Sequence, residues 1–132
     1  MAAYPYLRTM KALSLVLGVS LNPVRHSFRT VAALDEQGYA VCALGNREGL
    51  IGRIPILTGF PELGKIHTVN LYLKADRQDV YIDYLLKLNP SRIIFNKKTF
   101  NPVLWEKAAK LGIRVEEGCS LVLLAKGTYW GD

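Results

Sequence analysis

The stretch of this chain best suited to chemistry is the short loop Gly18-Val19-Ser20-Leu21-Asn22-Pro23, which follows an apolar run and precedes a helical pattern. This order predicts a strand, a tight loop and a helix. At such a junction the first backbone amides of the helix have no partner within it and, with the helix dipole, favour an anion. The loop therefore indicates a phosphorylated ligand, although a glycine turn without a ligand would show the same pattern.

A second loop, Gly45-Asn46-Arg47, narrows the class of ligand. The usual dinucleotide site has a G-x-G-x-x-G loop and, about twenty residues further on, an acidic residue for the ribose. Neither is present here, because the first loop has one glycine and no carboxylate ends the second predicted strand. A standard NAD site is therefore disfavoured. Ser20, Asn22, Asn46 and Arg47 suit an adenine nucleotide that carries an additional monophosphate.

Basic residues follow several of the predicted strands, so that several positive charges could surround one polyanion. They are Arg25, Arg47, Arg53, Lys97 and Lys98. Each one alone is equally explained as a solvated loop charge. The net charge of +6 also raises nucleic-acid binding. The basic residues are scattered, however, and no helix-turn-helix, RNA-binding or zinc-finger motif is present, so that nucleic acid is a minor alternative.

Alternating strands and helices must position these loops. Strands are expected in the apolar run before Gly18 and at residues 39–44, 53–57, 67–73, 92–95 and 113–115, and helices at 25–37, between Asp76 and Asn89, from Asn101 to Gly112, and as a short segment at 119–126. Gly38 is placed to end the first helix. Asp76 and Asp79 have the spacing of a capping box, and Asn101-Pro102 predicts an N-cap followed by proline at the first helical position.

This alternation predicts an α/β fold: a doubly wound, mostly parallel sheet with helices on both faces, in a single domain. Ligands of such sheets bind at the carboxyl ends of the strands, where the winding reverses, and the loop after the first strand lies there. We expect a domain over residues 11–132 and a loose N-terminal arm over residues 1–10.

Several features indicate a cytoplasmic protein that does not enter a membrane. The apolar run at residues 12–21 is shorter than the roughly 20 residues of a membrane span, and it lacks a small-residue cleavage pattern. Two cysteines are too few for a disulfide framework, and Cys42 within an apolar strand is expected to be a reduced, structural thiol. A protein partner or a homo-oligomer remains open.

Together these motifs resemble the small CoA-binding domain family, which is related to the CoA-binding N-terminal domain of the succinyl-CoA synthetase alpha subunit. The resemblance covers about residues 11–130. It rests on residues 16–23, Val16-Leu17-Gly18-Val19-Ser20-Leu21-Asn22-Pro23, which are similar to the family's V-x-G-A-S-x-x-P loop, on Gly38-Tyr39-Ala40-Val41, and on the segment from Asn46 to Ile56. The resemblance implies a Rossmann-like sheet with a central first strand, and CoA or acyl-CoA as the ligand.

The resemblance also implies roles for particular residues. The pyrophosphate would be bound by Gly18, Ser20, Asn22 and Pro23. The adenosine would lie beside Gly45, Asn46 and Arg47. The chain departs from the family at Val19, where alanine is usual, and at Asn96-Lys97-Lys98, where many members have glutamine and glycine. The full set of candidate ligand-binding residues is Gly18, Val19, Ser20, Asn22, Pro23, Arg25, Gly45, Asn46, Arg47, Asn96 and Lys97.

Catalytic residues are not evident in the sequence. His26 could bind a phosphate, whereas His67 opens a strand and is expected to be structural. No G-x-S-x-G, H-E-x-x-H or C-x-x-C motif is present. Asp76, Asp79 and Asp83 fit a solvated helix face, and Tyr129-Trp130 fits packing on the domain better than stacking on a base.

The main hypothesis is therefore a non-catalytic module that binds CoA or acyl-CoA, with the diphosphate at the first strand-loop-helix junction. One alternative is an NADP-linked or other nucleotide-using enzyme, in which Arg47 meets a ribose phosphate. Another is a domain that binds no ligand and acts through a protein interface.

Overall fold

A computed structural model describes residues 13–130 of this chain. The predicted N-terminal arm, residues 1–10, and the predicted start of the domain at residue 11 lie outside the described residues. Within residues 13–130, no helix is both long enough and apolar enough to cross a membrane.

Strands and helices alternate through this part of the chain. The strands are β1 (Leu13–Leu17), β2 (Ala40–Leu44), β3 (Gly49–Ile51), β4 (Ile54–Leu57), β5 (Ile66–Leu71), β6 (Arg92–Phe95) and β7 (Arg114–Glu117). The α-helices are α1 (His26–Glu36), α2 (Asp79–Leu88), α3 (Pro102–Lys110) and α4 (Ser120–Lys126), and a short 3-10 turn, Ala75–Arg77, precedes α2. The predicted short helix at 119–126 is thus confirmed.

The strands form one sheet in the order β3-β4-β2-β1-β5-β6-β7. β1 lies in the centre and pairs in parallel with β2 on one side and β5 on the other. The winding therefore reverses at β1, which confirms the doubly wound, Rossmann-like prediction. Among the strands of residues 13–130, only β3 and β4 pair antiparallel.

The sequence analysis missed β3 because three residues are too few to show alternation. Gly49–Ile51 folds back on Ile54–Leu57 through a turn at Gly52, whose φ is +59°. A two-residue hairpin with glycine at a positive φ is a recognised turn signal, and it could have indicated this strand.

Both faces of the sheet are buried. Leu13, Leu15 and Leu17 of β1 pack into the core that includes residues of α2 and α3, whereas Val16 packs into the core that includes residues of α1 and α4. Successive side chains of a strand point to opposite faces, so β1 supplies both cores. This burial explains why the strand reads as a continuous apolar run.

Two of the predicted helix ends are confirmed and one is wrong. Gly38 ends α1 with a φ of +86°, and the Asn101 side chain caps α3 by accepting from the amides of Val103 and Leu104. The predicted capping box of Asp76 and Asp79 does not form. The 3-10 turn contains Asp76, and the N-cap of α2 is Gln78, which makes no side-chain cap.

The C-terminal aromatic residues pack on the domain, as expected. Tyr129 is fully buried and bonds Ser14 and Asn70 through its hydroxyl. The ring of Trp130 packs against that of His67 in a tilted arrangement, with 4.2 Å between the ring centroids. His67 also forms a hydrogen bond with the Thr68 hydroxyl at 2.8 Å, a contact that fits the expected structural role.

At Gly18 the segments that follow β1 and β5 lie close together. Its φ is +93°, and a Cβ added there would lie 2.7 Å from the Leu73 amide nitrogen and 2.9 Å from the Tyr72 carbonyl carbon. Both atoms belong to the backbone and cannot move aside cheaply. A residue other than glycine would therefore push apart the segments that follow β1 and β5.

We expect Gly18→Ala to lower the free energy of unfolding by at least about 2 kcal/mol, because it adds backbone strain and a steric clash. Gly52→Ala is the matched control, since Gly52 has a positive φ but open space where the Cβ would lie. It should cost about 1 kcal/mol from strain alone. Denaturant unfolding measures both values. Equal costs would contradict the close approach at Gly18.

The two cysteines should differ sharply in reactivity. Burial raises the pKa of the Cys42 thiol to about 12, and the thiolate is the reactive form. Cys119 is half-buried and lies at the N-cap of α4. We expect a colourless aromatic disulfide reagent to modify Cys119 in the folded protein and Cys42 only after unfolding. A Cys119→Ser variant that still reacted rapidly when folded would contradict the burial of Cys42.

Candidate functional site

A cleft of about 980 Å³ opens at the carboxyl edge of the sheet. Its walls come from the segments that follow four neighbouring strands, β2, β1, β5 and β6. The residues lining it are Leu17, Gly18, Val19, Ser20, Leu21, Asn22, Val24, Arg25, His26, Ser27, Gly45, Asn46, Arg47, Tyr72, Leu73, Arg77, Tyr81, Lys97 and Lys98. The cleft thus lies where a doubly wound sheet binds its ligands.

The first loop of the cleft is held by its own hydrogen bonds. The Ser27 hydroxyl accepts from the amide of Ser20, the Ser20 hydroxyl accepts from the amide of Asn22, and the Asn22 side-chain carbonyl accepts from the amide of Val24. These bonds use acceptor atoms of Ser20 and Asn22. The hydroxyl proton of Ser20 and the amide NH₂ of Asn22 remain as donors, which is what a phosphate requires.

The N-terminus of α1 is uncapped and borders the cleft. The N-cap residue Arg25 makes no side-chain cap, and no acidic residue lies in the first turn. The first helical hydrogen bond is donated by the Arg29 amide to the carbonyl of Arg25. The amides of His26, Ser27 and Phe28 come before it and have no partner within the helix. Unpaired amides and the positive end of the helix dipole therefore meet at the cleft.

The charges around the cleft have one sign. Five basic side chains line it, and among the described residues no carboxylate does. These five are Arg25, Arg47, Arg77, Lys97 and Lys98. A low-dielectric concave wall with charges of one sign concentrates the field in the cleft and favours a polyanion.

The second loop brings Asn46 and Arg47 to the cleft through Gly45. A Cβ at Gly45 would lie 2.6 Å from the carbonyl oxygen of Val19. Glycine is thus required there for the β2 loop to pack against the β1 loop. Asn46 and Arg47 are both exposed to solvent at the cleft.

The third loop, which follows β6, contributes lysines but not Asn96. Asn96 is 5% exposed, and its amide bonds both the hydroxyl and the backbone amide of Ser120. The sequence analysis placed Asn96 among the ligand-binding residues, but its side chain faces α4 rather than the cleft. Lys97 and Lys98 do line the cleft.

The structure assembles most of the predicted site. Nine of the eleven predicted residues line the cleft, and Asn96 and Pro23 do not. Pro23 is an exposed residue of the first loop. Arg53, named as a nearby charge, pairs instead with Asp35 at 2.9 Å.

One wall of the cleft was not predicted, the wall formed by Tyr72, Leu73, Arg77 and Tyr81. They come from the segment after β5 and from α2. Their place in the fold could have indicated them, because β5 pairs with β1 and the carboxyl end of β5 must lie beside the first loop.

Tyr72 links the cleft wall to α1. Its hydroxyl lies 2.5 Å from that of Thr30. Burial raises the pKa of Tyr72 to about 12, despite the opposing effect of this hydrogen bond. The phenol is therefore neutral near pH 7 and presents no negative charge to an anion.

Comparison with solved structures agrees with the fold described above. A solved structure titled as an uncharacterized protein is 31% identical, with a TM-score of 0.84, and the match covers 88% of this chain and 96% of that one. A hypothetical protein from Pyrococcus horikoshii OT3 is 23% identical, with a TM-score of 0.75 and coverage of 94% and 87%. A protein from Thermus thermophilus, cell-free ID.343, is 22% identical, with a TM-score of 0.76 and coverage of 94% of both chains. The last two likenesses show the fold alone.

The search of curated proteins found no match. The model of one family, described as CoA binding domain, matches residues 14–125. The matched residues run from β1 into α4 and include every loop of the cleft. The resemblance inferred from the loop motifs is thus confirmed, and the chain belongs to the CoA binding domain family.

Proposed function

We propose that this chain binds CoA or an acyl-CoA in the cleft, with the diphosphate over the loop at residues 18–23 and the first turn of α1. The observation that carries the proposal is the uncapped N-terminus of α1 in a cleft lined by five cations. CoA has a diphosphate and a ribose 3′-phosphate, so it suits several dispersed positive charges. Family membership supports the same ligand class.

The diphosphate is assigned to the first loop because the donors converge there. The Ser20 hydroxyl and the Asn22 amide have their acceptor atoms engaged within the loop. Their protons, together with the first amides of α1, are available to phosphate oxygens. Anion binding at a helix N-terminus needs only such amides and the dipole.

The adenosine is assigned to the β2 side of the cleft. Arg47 can form paired hydrogen bonds with a phosphate, and the 3′-phosphate is the group of CoA that NAD lacks. The strand β2 ends at Leu44 and is followed by Gly45, where a dinucleotide site would have an acidic residue for the ribose diol. This favours CoA over NAD and makes Arg47 the main test residue.

We further propose that the module has no chemistry of its own and acts in the cytoplasm as a carrier, sensor or partner-binding subunit. The Ser20 and Ser27 hydroxyls serve as acceptors for amides of the loop, a structural use. Tyr72 is held neutral, with its pKa raised to about 12 by burial. Both cysteines are free thiols, as expected of a reducing compartment.

Isothermal titration calorimetry with CoA tests the proposal. We expect Arg47→Glu to weaken CoA binding at least about tenfold, since a hydrogen bond between charged groups contributes roughly 1.5–3 kcal/mol. Dephospho-CoA, which lacks the 3′-phosphate, should bind the wild type more weakly than CoA does. The two changes should not add, because both remove the same contact.

Lys110→Glu is the matched control, as it makes the same change of charge at an exposed residue that does not line the cleft. It should change CoA affinity by no more than about twofold. The substitution changes the net charge as much as Arg47→Glu does, but it leaves the residues that line the cleft intact. Stronger binding of NADP than of CoA would instead support a nucleotide-using enzyme. No stabilisation by millimolar CoA, NADP, NAD or ATP would support the protein-interaction alternative.

A further inference from the structure

We propose that Phe60 recognises the adenine base of the ligand, by stacking on it at the rim of the cleft. The base, and not the phosphates alone, then determines which molecules the cleft binds. This inference rests on the proposed CoA function and deepens it, because it assigns a specificity-determining residue that lies just outside the residues lining the cleft.

Phe60 exposes a large part of an aromatic ring. It is 57% exposed, compared with 44% for Phe100 and 39% for Trp130, the other exposed phenylalanine and tryptophan in the described part of the chain. The centroid of its ring lies 5.1 Å from that of Tyr81 and 5.5 Å from that of Tyr84. Tyr81 lines the cleft. The ring of Phe60 thus continues this wall outward and has an exposed surface on which a planar base can stack.

The loop that carries Phe60 is held on both sides of that residue. Gly59 has a φ of +74°, so the chain turns directly before Phe60. Directly after it, the carbonyl of Pro61 accepts from the hydroxyl of Tyr84. Burial raises the pKa of Tyr84, which keeps the donated proton on the oxygen. A ring held in this way loses little conformational entropy when a base stacks on it.

The end of β4 places Phe60 beside the proposed phosphate site at Arg47. β4 pairs in parallel with β2, with Leu57 opposite Leu44, and the amide of Gly45 donates to the carbonyl of Leu57. Phe60 and Arg47 each lie three residues beyond these paired strand ends. Neighbouring strands lie about 4.8 Å apart. The aromatic ring and the guanidinium therefore come from adjacent loops at one edge of the sheet.

The covalent structure of CoA brings the base to the same place. The adenine and the 3′-phosphate are attached to one ribose, so a 3′-phosphate bound by Arg47 holds the base close to the end of β2. Toward β3 the space is occupied by Leu21, because a Cβ added at Gly49 would lie 2.6 Å from a Leu21 methyl carbon. The rings of Tyr81 and Phe60 remain for the base.

Calorimetry tests the inference with CoA and with adenosine 3′,5′-bisphosphate, which has the base and the 3′-phosphate but no pantetheine. We expect Phe60→Ala to weaken both ligands by the same factor, at least about fivefold, because it removes the aromatic partner of the base. Phe60→Tyr keeps the aromatic face and should bind both ligands as the wild type does. Phe60→Leu is apolar but not planar, and it should lose as much affinity as Phe60→Ala.

Phe100→Ala is the matched control. Phe100 is also an exposed phenylalanine, but its ring contacts Phe95 and Trp105, neither of which lines the cleft. This substitution should change the affinity for either ligand by less than about twofold, since it removes no stacking contact with the base. Melting temperatures measured in parallel establish that each variant is folded.

Phe60→Trp gives a direct readout of stacking, because an adenine stacked on an indole quenches its fluorescence. Both ligands should quench the added tryptophan. The baseline is the wild type, in which the emission comes from Trp105 and Trp130. Neither of these residues lines the cleft, so the wild-type emission should change little when the same ligands bind.

The outcomes separate this inference from the proposed function. Tight CoA binding by the wild type, with the same affinity in Phe60→Ala, would overturn the adenine inference alone. A loss of affinity for CoA without a loss for adenosine 3′,5′-bisphosphate would place Phe60 on the pantetheine arm and would also overturn it. If the wild type bound neither ligand, the proposed function would fail as well.

Discussion

The contact between Gly18 and the backbone of Tyr72 and Leu73 is the constraint on which the cleft depends. The Tyr72 amide donates to the carbonyl of Leu17, and the Gly18 amide donates to that of Leu44. The ends of β5, β1 and β2 are therefore joined at one point. Because the added Cβ would lie 2.7 Å from a backbone nitrogen, only glycine permits this junction. The loop that follows is thus placed between the other two, and the cleft is open on both sides of it.

A buried polar network extends this constraint to the far wall. Tyr129 bonds Ser14 of β1 and Asn70 of β5, and Asn70 accepts from the Ser120 hydroxyl at 2.6 Å. Ser120 in turn bonds Asn96, which precedes the two lysines. In a low-dielectric interior such bonds are strong, and an unpaired member is costly. The network therefore fixes α4 and the β6 loop relative to the central strands.

Most of the fold could be predicted from the sequence because the signals for strands and helix ends are local. Apolar runs, the glycine at residue 38 and the Asn101-Pro102 pair each act within a few residues, and all were read correctly. The capping box failed because Gln78 has a tertiary role: its side-chain amide donates to the carbonyls of Leu73 and Thr99. Asn96 was misplaced for the same reason, since its bonds to Ser120 join residues 24 positions apart. Spacing along the chain does not show such contacts.

Sequence motifs identify the β1 and β2 loops of the site. The side of the cleft near the end of β5 is assembled only when the chain folds. The β1 and β2 loops carry recognisable glycines, because close backbone approach restricts the residue type. Arg77 and Tyr81 have no such restriction, and they reach the cleft because α2 packs beside the end of β5. Five cations around one cleft repel each other in the free domain, so the arrangement weakens the fold that carries it. A polyanion that binds only the folded state reverses this effect and stabilises the domain by an amount that rises with the logarithm of its concentration above its dissociation constant. The cleft and the fold are therefore coupled through charge as well as through the Gly18 junction.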